Sequence, residues 1–291
     1  MKIKKTKTNV KLLHATPLKI VDIAIGTCWD KQRDDNVIDT IRMDRVINKF
    51  HHASTAEHIN YNFYIKNISR LLLQELARTR IASFSVKSSR YTLSELRKEE
   101  SFITEFEFLP NDKVSVVVSD DEIERAFKYI RFIGNENIDK NSIVELEILR
   151  RNVVNNISND VAKYNLPECY LTELTFTINV RSLQNFLSLR TNKTAHFEIR
   201  ELAYELYKQL PEDHKFLFKD NLYFFNTELP NITKDKDFRS AVYGLDKENK
   251  IRNFILLFSY KDEILDKLIE NYSIEELQEF VKTIGVILKE K

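Results

Sequence analysis

YLTELTFTINVRSL, residues 170–183, sets Leu174, Phe176, Ile178 and Val180 on one side and Thr175, Thr177, Asn179 and Arg181 on the other. Alternation of period two is the pattern of a strand with one buried and one wet face. The polar face ends in Asn179 and Arg181, after which Ser182 to Leu189 return to helical spacing. Upstream, His58 to Lys66 repeats the alternation, with Ile59, Tyr61, Phe63 and Ile65 opposite Asn60, Asn62 and Tyr64.

Helical periods surround these strands. Pro17 opens PLKIVDIAIGTCW, whose spacing of Leu18, Val21, Ile25 and Trp29 predicts a helix with proline in its first turn. A shorter helix is predicted over 39–50, and Ile68, Leu71, Leu72 and Leu76 predict another that ends in a basic cluster. Ser119 with Glu122 and Ser142 with Glu145 read as capping boxes starting two middle helices. HFEIRELAYELYKQL, residues 196–210, is amphipathic and is stopped by Pro211. RIASFSVKSSRYTLSEL, residues 80–96, is serine-rich and reads as a loop. The expected organisation is a flexible basic segment over 1–14, a domain over 15–216 and a mostly helical C-terminal extension over 217–291. Helices are predicted in the extension near 262–270 and 273–289, the second opened by Ser273 and Glu276.

Composition narrows the functions. Lys and Arg total 45 against 44 Asp and Glu, so no polyanionic partner is implied and no nucleic acid is expected. Two cysteines, Cys28 and Cys169, make no disulfide framework and no zinc cluster, so no metal is expected. With no apolar run long enough to span a bilayer, the expected setting is cytoplasmic, with no membrane partner. Glycine is scarce, at 4 in 291 residues, where average usage is about 7%. Neither the dinucleotide fingerprint nor the P-loop can be built from Gly26, Gly134, Gly244 and Gly285.

RTRIASFSVKSSRY, residues 78–91, offers another way to hold an anion. Arg78, Arg80 and Arg90 supply planar cationic forks, and Ser83, Ser85, Ser88 and Ser89 supply hydroxyl and backbone donors between them. Taken alone, such a cluster also describes a solvated basic turn.

Arg78, Arg80 and Ser88, together with Arg90-Tyr91, resemble the Arg-His-Arg, seven residues, Ser signature of the flavin-dependent thymidylate synthases. Ser54-Thr55-Ala56-Glu57-His58 upstream, and Asn179 to Phe186 with Leu189-Arg190 downstream, extend the resemblance in the family's order over roughly 15–215. It implies an α/β (α+β) fold with helices around a mainly antiparallel central sheet, assembled as a homotetramer with active sites shared between chains. It also implies methylation of dUMP to dTMP through bound FAD, with methylene-tetrahydrofolate as one-carbon donor and NADPH as reductant.

Matched position by position, the resemblance puts dUMP against Glu75, Arg78, Val86, Lys87, Ser88, Ser89, Arg90, Lys163 and Arg190. It puts the flavin against Ser54, Arg78, Thr79, Arg80, Asn179, Arg181 and Asn185. Arg190 is the expected catalytic residue: its guanidinium against the uracil imide favours the enolate-like pyrimidine, so that no enzyme nucleophile is needed. Cys28, Cys169, His14 and His214 then have no assigned role, and His51 and His52, near the flavin motif, are further site candidates. Four positions depart from the family. Thr79 replaces the middle His, Glu75 a common Gln, Lys163 a common Arg, and Val86 a polar residue. Thr79 and Glu75 leave open a pyrimidine nucleotide hydroxymethylase of the same fold, and residues 217–291, outside the resemblance, leave open a non-catalytic flavin or nucleotide binder.

Overall fold

The structure is a computed structural model describing residues 4–29, 38–109, 113–192 and 194–222. In chain order its elements are β1 (Asn9–Ala15), α1 (Lys19–Cys28), α2 (Thr40–Asp44), β2 (Asn60–Ser69), α3 (Arg70–Leu76), β3 (Ala82–Val86) and α4 (Ser89–Thr92). There follow β4 (Glu105–Leu109), β5 (Lys113–Val117), α5 (Asp120–Ala126), α6 (Glu136–Val154), α7 (Asn159–Ala162), β6 (Leu171–Asn179), α8 (Val180–Arg190) and α9 (Phe197–Lys208). They fall into two compact units, one drawn from residues up to Thr16 and from Asn60–Asn179, the other from Pro17–Ile59 and from Val180 onward.

In the first unit four strands form a sheet in the order β1-β2-β6-β3, every neighbouring pair antiparallel. The two strands read from alternation lie side by side at its centre, with Tyr61 opposite Ile178, Phe63 opposite Phe176 and Ile65 opposite Leu174. All six side chains are buried. On the wet face Asn62 Nδ2 donates to Thr177 Oγ1 at 2.6 Å. This register is fixed because a one-residue slip would turn every apolar side chain to water. A shift between Ile65 and Ile68 is absorbed at Asn67, which takes φ 59°.

The helices of this unit surround a second apolar cluster that includes Leu93, Leu96, Phe102, Leu146 and Leu149. Within it the Glu147 carboxylate accepts from the Phe102 amide at 3.0 Å, from Arg150 Nε at 2.8 Å and from Arg151 Nε at 2.8 Å. Burial pushes this carboxyl up, but the hydrogen bonds from Arg150, Arg151 and the Phe102 amide outweigh it and hold the group at about 2.

The second unit is helical. Asp39 caps α2, its carboxylate accepting from the Arg42 amide at 2.9 Å. Helix α8 buries Val180, Leu183, Phe186 and Leu187 and packs against α9. A tail turn over Glu212–Phe218 is tied back by Asn48 Nδ2 donating to the Phe216 carbonyl at 3.1 Å and Gln184 Nε2 to the Leu217 carbonyl at 2.6 Å. Among the described residues no helix is long and apolar enough to cross a membrane.

An antiparallel sheet accompanied by helices is the α+β class expected, but several local expectations change. Residues 9–15 are not a flexible arm: they form β1, with Val10 opposite Ile65 and Leu12 opposite Phe63. Residues 82–86 are not loop but β3, which pairs along β6 with Phe84 opposite Phe176. Cross-strand pairing overrides the weak strand preference of serine there. Ser119 and Glu122 do close a complete capping box on α5. Ser142, by contrast, lies inside α6, whose cap is Asn135, and its hydroxyl donates to the Ile138 carbonyl at 3.0 Å. The β4–β5 hairpin was not anticipated at all. The helices expected at 262–270 and 273–289, with their capping box, lie outside the described residues.

Candidate active site

In the first unit the candidate residues follow one another along α3, β3 and α4. Ser69 caps α3, its hydroxyl accepting from the Leu72 amide at 3.0 Å. Leu72 and Leu76 bury the helix, which leaves Glu75 half-buried on its flank. The chain leaves the last turn through Arg78 N–H to the Glu75 carbonyl at 3.3 Å and Thr79 N–H to the Leu76 carbonyl at 2.9 Å. Arg78 and Arg80 are exposed, and Ile81 turns into β3 at φ 55°. Along β3, Ser83 and Ser85 are exposed while Ala82, Phe84 and Val86 are half-buried.

Lys87 continues the ladder, its amide donating to the Glu173 carbonyl at 2.9 Å. The Glu173 carboxylate gathers Lys87 Nζ at 3.8 Å, Lys66 Nζ at 3.8 Å and the Tyr64 hydroxyl at 2.7 Å. The hydrogen bond to Glu173 raises the Tyr64 phenol above its ordinary range. Ser88 precedes α4 and accepts through its carbonyl from Thr92 Oγ1 at 3.1 Å.

Arg90 meets Asp160 side-on, with Nε to Oδ1 at 2.8 Å and Nη2 to Oδ2 at 3.0 Å. Lys163 Nζ lies 3.7 Å from the same carboxylate. Arg90 and Lys163, named from separate stretches of sequence, are therefore neighbours through Asp160. An open cleft of about 360 Å³ lies between Arg90, Tyr91 and Arg97 on one side and Ser158 to Asp160 on the other. Asn179, at the end of β6, is buried and opposite Asn60.

In the second unit Ser54 is exposed on the short helix Ala53–His58. Arg181 and Asn185, four residues apart, share the exposed face of α8, and Arg181 Nη1 pairs with Glu57 Oε1 at 2.5 Å. Arg190 is half-buried in the last turn of the same helix. His51 and His52 are both exposed. Cys169 is half-buried, and burial pushes its thiol up, away from thiolate character.

The donor set fits a flavin dinucleotide: arginines suit a diphosphate, and asparagines suit the edge of a heterocycle. Arg78 and Arg80 both present exposed guanidinium groups of the kind that suits a diphosphate. Sequence reasoning missed Asp160 and Glu173. Asp160 stands three residues before Lys163, a spacing that predicts an ion pair on a helix, but nothing local connects it with Arg90, 70 residues away.

A family profile described as "Thymidylate synthase complementing protein" matches residues 11–214. The chain belongs to that family. Its relatives include a flavin-dependent thymidylate synthase of Campylobacter jejuni, 49% identical over 218 residues, an alignment that spans 74% of this chain and 98% of the relative. Another from Helicobacter pylori is 46% identical over 213 residues, covering 72% and 96%. Among solved structures, thymidylate synthase X from Helicobacter pylori with FAD and dUMP superposes with a TM-score of 0.66 at 45% identity, covering 74% of this chain and 99% of that one. The family match takes in the Arg78–Arg90 stretch, Lys163 and Arg190, and ends before the extension over 217–291. These names favour a synthase over the hydroxymethylase and over a non-catalytic binder.

Proposed function

We propose that this chain is an FAD-dependent thymidylate synthase that methylates dUMP to dTMP, with methylene-tetrahydrofolate as one-carbon donor and NADPH as reductant. The observation that carries the reading is the meeting of Arg90 and Lys163 at one carboxylate beside Ser88 and Ser89, in a family whose solved relative holds dUMP and FAD. The protein works in the cytoplasm as a homotetramer with shared active sites.

Ser88, Ser89 and the forked guanidinium of Arg90 hold the 5′-phosphate, with Lys87 and Lys163 adding point charges. Glu75, Arg78 and the Val86 backbone orient the nucleoside. By the same family correspondence the flavin contacts are Ser54, Arg78, Thr79, Arg80, Asn179, Arg181 and Asn185, Arg78 serving both ligands. FAD, when bound, supplies redox chemistry that no side chain of this chain provides. Arg190 sets a permanent cation against the uracil imide, which stabilises negative charge on the pyrimidine oxygen and makes carbon five nucleophilic. With that activation neither cysteine needs to attack, in keeping with the raised Cys169 thiol.

Purified protein is expected to show a flavin absorbance band and to convert dUMP to a product in which a methyl has replaced the hydrogen on carbon five, a net gain of CH2, only when folate donor and reductant are both present. Colourless protein that takes up no added FAD, or a product carrying a hydroxymethyl, overturns the reading. Arg190→Ala is expected to keep its flavin and lose about 100-fold or more in turnover, the scale of removing an oxyanion-stabilising donor.

A further inference from the structure

Asp160 is a puzzle for a site that receives a phosphate dianion, because a fixed carboxylate beside the anion is repulsive. It does not act mainly as a stability device: Arg90 and Asp160 are 60% and 53% exposed, and pairs at such exposure contribute little to folding. The geometry is more specific than a chance surface contact. Asp160 engages Arg90 along one edge only, through Nε at 2.8 Å and Nη2 at 3.0 Å. Asn159 holds the same residue by its backbone, donating from Nδ2 to the Arg90 carbonyl at 2.6 Å. Consecutive residues thus fix both the main chain and the side chain of Arg90. Lys163, one turn further on, brings its ammonium to 3.7 Å from Asp160 Oδ1.

A guanidinium has five N–H donors, and a side-on pair through Nε and Nη2 uses two of them. The Nη1 hydrogens and the remaining Nη2 hydrogen still form an end-on fork for a second anion. We infer that Asp160 is a positioning residue for phosphate recognition: it grips the side edge of Arg90 so that the end fork faces the ligand, and it draws Lys163 to the same place. The repulsion is offset because an arginine already oriented loses less side-chain freedom when the phosphate arrives. This inference rests on the reading of the site as a dUMP site and adds a residue to it.

The test compares FAD-loaded wild type with Asp160→Ala, Asp160→Glu, Arg90→Ala and the Asp160→Ala/Arg90→Ala double variant, titrating each with dUMP and with deoxyuridine. Asp160→Ala is expected to weaken dUMP about tenfold, the equivalent of one modest oriented contact, while deoxyuridine affinity, flavin content and thermal midpoint stay the same. Asp160→Glu restores most of the loss, and Asp160→Ala adds nothing once Arg90 is gone. Unchanged or tighter dUMP binding by Asp160→Ala overturns the inference, since the carboxylate then only repels. Equal loss for dUMP and deoxyuridine, lost flavin, a lower thermal midpoint or an additive double variant overturns it too, by showing a role that does not pass through Arg90. Wild-type holoprotein that binds no dUMP overturns the parent reading, a result separable from all of these.

Discussion

Ile81 puts a β-branched, exposed side chain at φ 55°, in the left-handed region, where the turn from Arg80 enters β3. Such a residue is strained there, and asparagine is tolerated far better. Ile81→Asn is expected to raise stability by about 1 kcal/mol, read as a higher urea midpoint with an unchanged slope. His51, Asn67 and Asn156 also take positive φ, so turns that glycine often fills are made here by other residues, in keeping with the chain's glycine scarcity. Glu147 is a different kind of single-residue commitment, a carboxylate 2% exposed with two arginines and an amide on it. Glu147→Gln is expected to cost about 3 kcal/mol in denaturant unfolding, because Arg150 is left half-buried beside a neutral group. Its folded value of about 2 lies below the ordinary 4.5, so the contribution is complete above about pH 4.5 and is lost as pH falls toward 2. An acid titration of the unfolding midpoint checks this, and Glu147→Gln should flatten that portion of the curve.

Two serines that look alike in sequence behave differently as parts of elements. Ser119 and Glu122 satisfy each other's end of α5, the Ser119 amide donating to Glu122 at 2.7 Å and the Glu122 amide to Ser119 at 3.3 Å. Ser142 and Glu145 have the same spacing, but α6 has already begun two turns earlier at Asn135, whose side chain accepts from the Ile138 amide. Ser119→Ala is expected to cost about 1 kcal/mol. Ser142→Ala is expected to change stability by less than about 0.5 kcal/mol, because the lost bond to the Ile138 carbonyl is countered by a better helix former. Denaturant unfolding of the two variants side by side separates a true cap from an internal serine. The same limit explains β3: five residues with exposed serines carry no strand signal of their own, and the partner that makes them a strand is β6, nearly a hundred residues on.

At the scale of the whole chain, relatives aligned over 96–98% of their length account for 72–74% of this chain, and the family match ends at residue 214. A chain ending at residue 222 is therefore expected to retain FAD and to convert dUMP at a rate within about threefold of the full chain, a margin equal to roughly 0.6 kcal/mol. A colourless or aggregated product would show that the remaining residues belong to the catalytic fold. The periodicities of β2, β6, α8 and α9 were legible because each buries one face, which leaves a pattern in consecutive residues. The Arg78–Arg90 motif was legible for a similar reason, since its chemistry is packed into one short stretch. By itself, then, the sequence determined the element types that bury a face, the exclusion of glycine phosphate loops and the family. Only the tertiary structure decided the strand order β1-β2-β6-β3, the conversion of residues 9–15 and 82–86 into edge strands, and the place of Asp160 between Arg90 and Lys163. The strand pairings and the Arg90–Asp160 contact join residues distant in the chain: burial of the whole sheet fixes the pairings, and the fold brings Asp160 to Arg90, so neither leaves a trace in the local order of residues, whereas the Asp160–Lys163 spacing does.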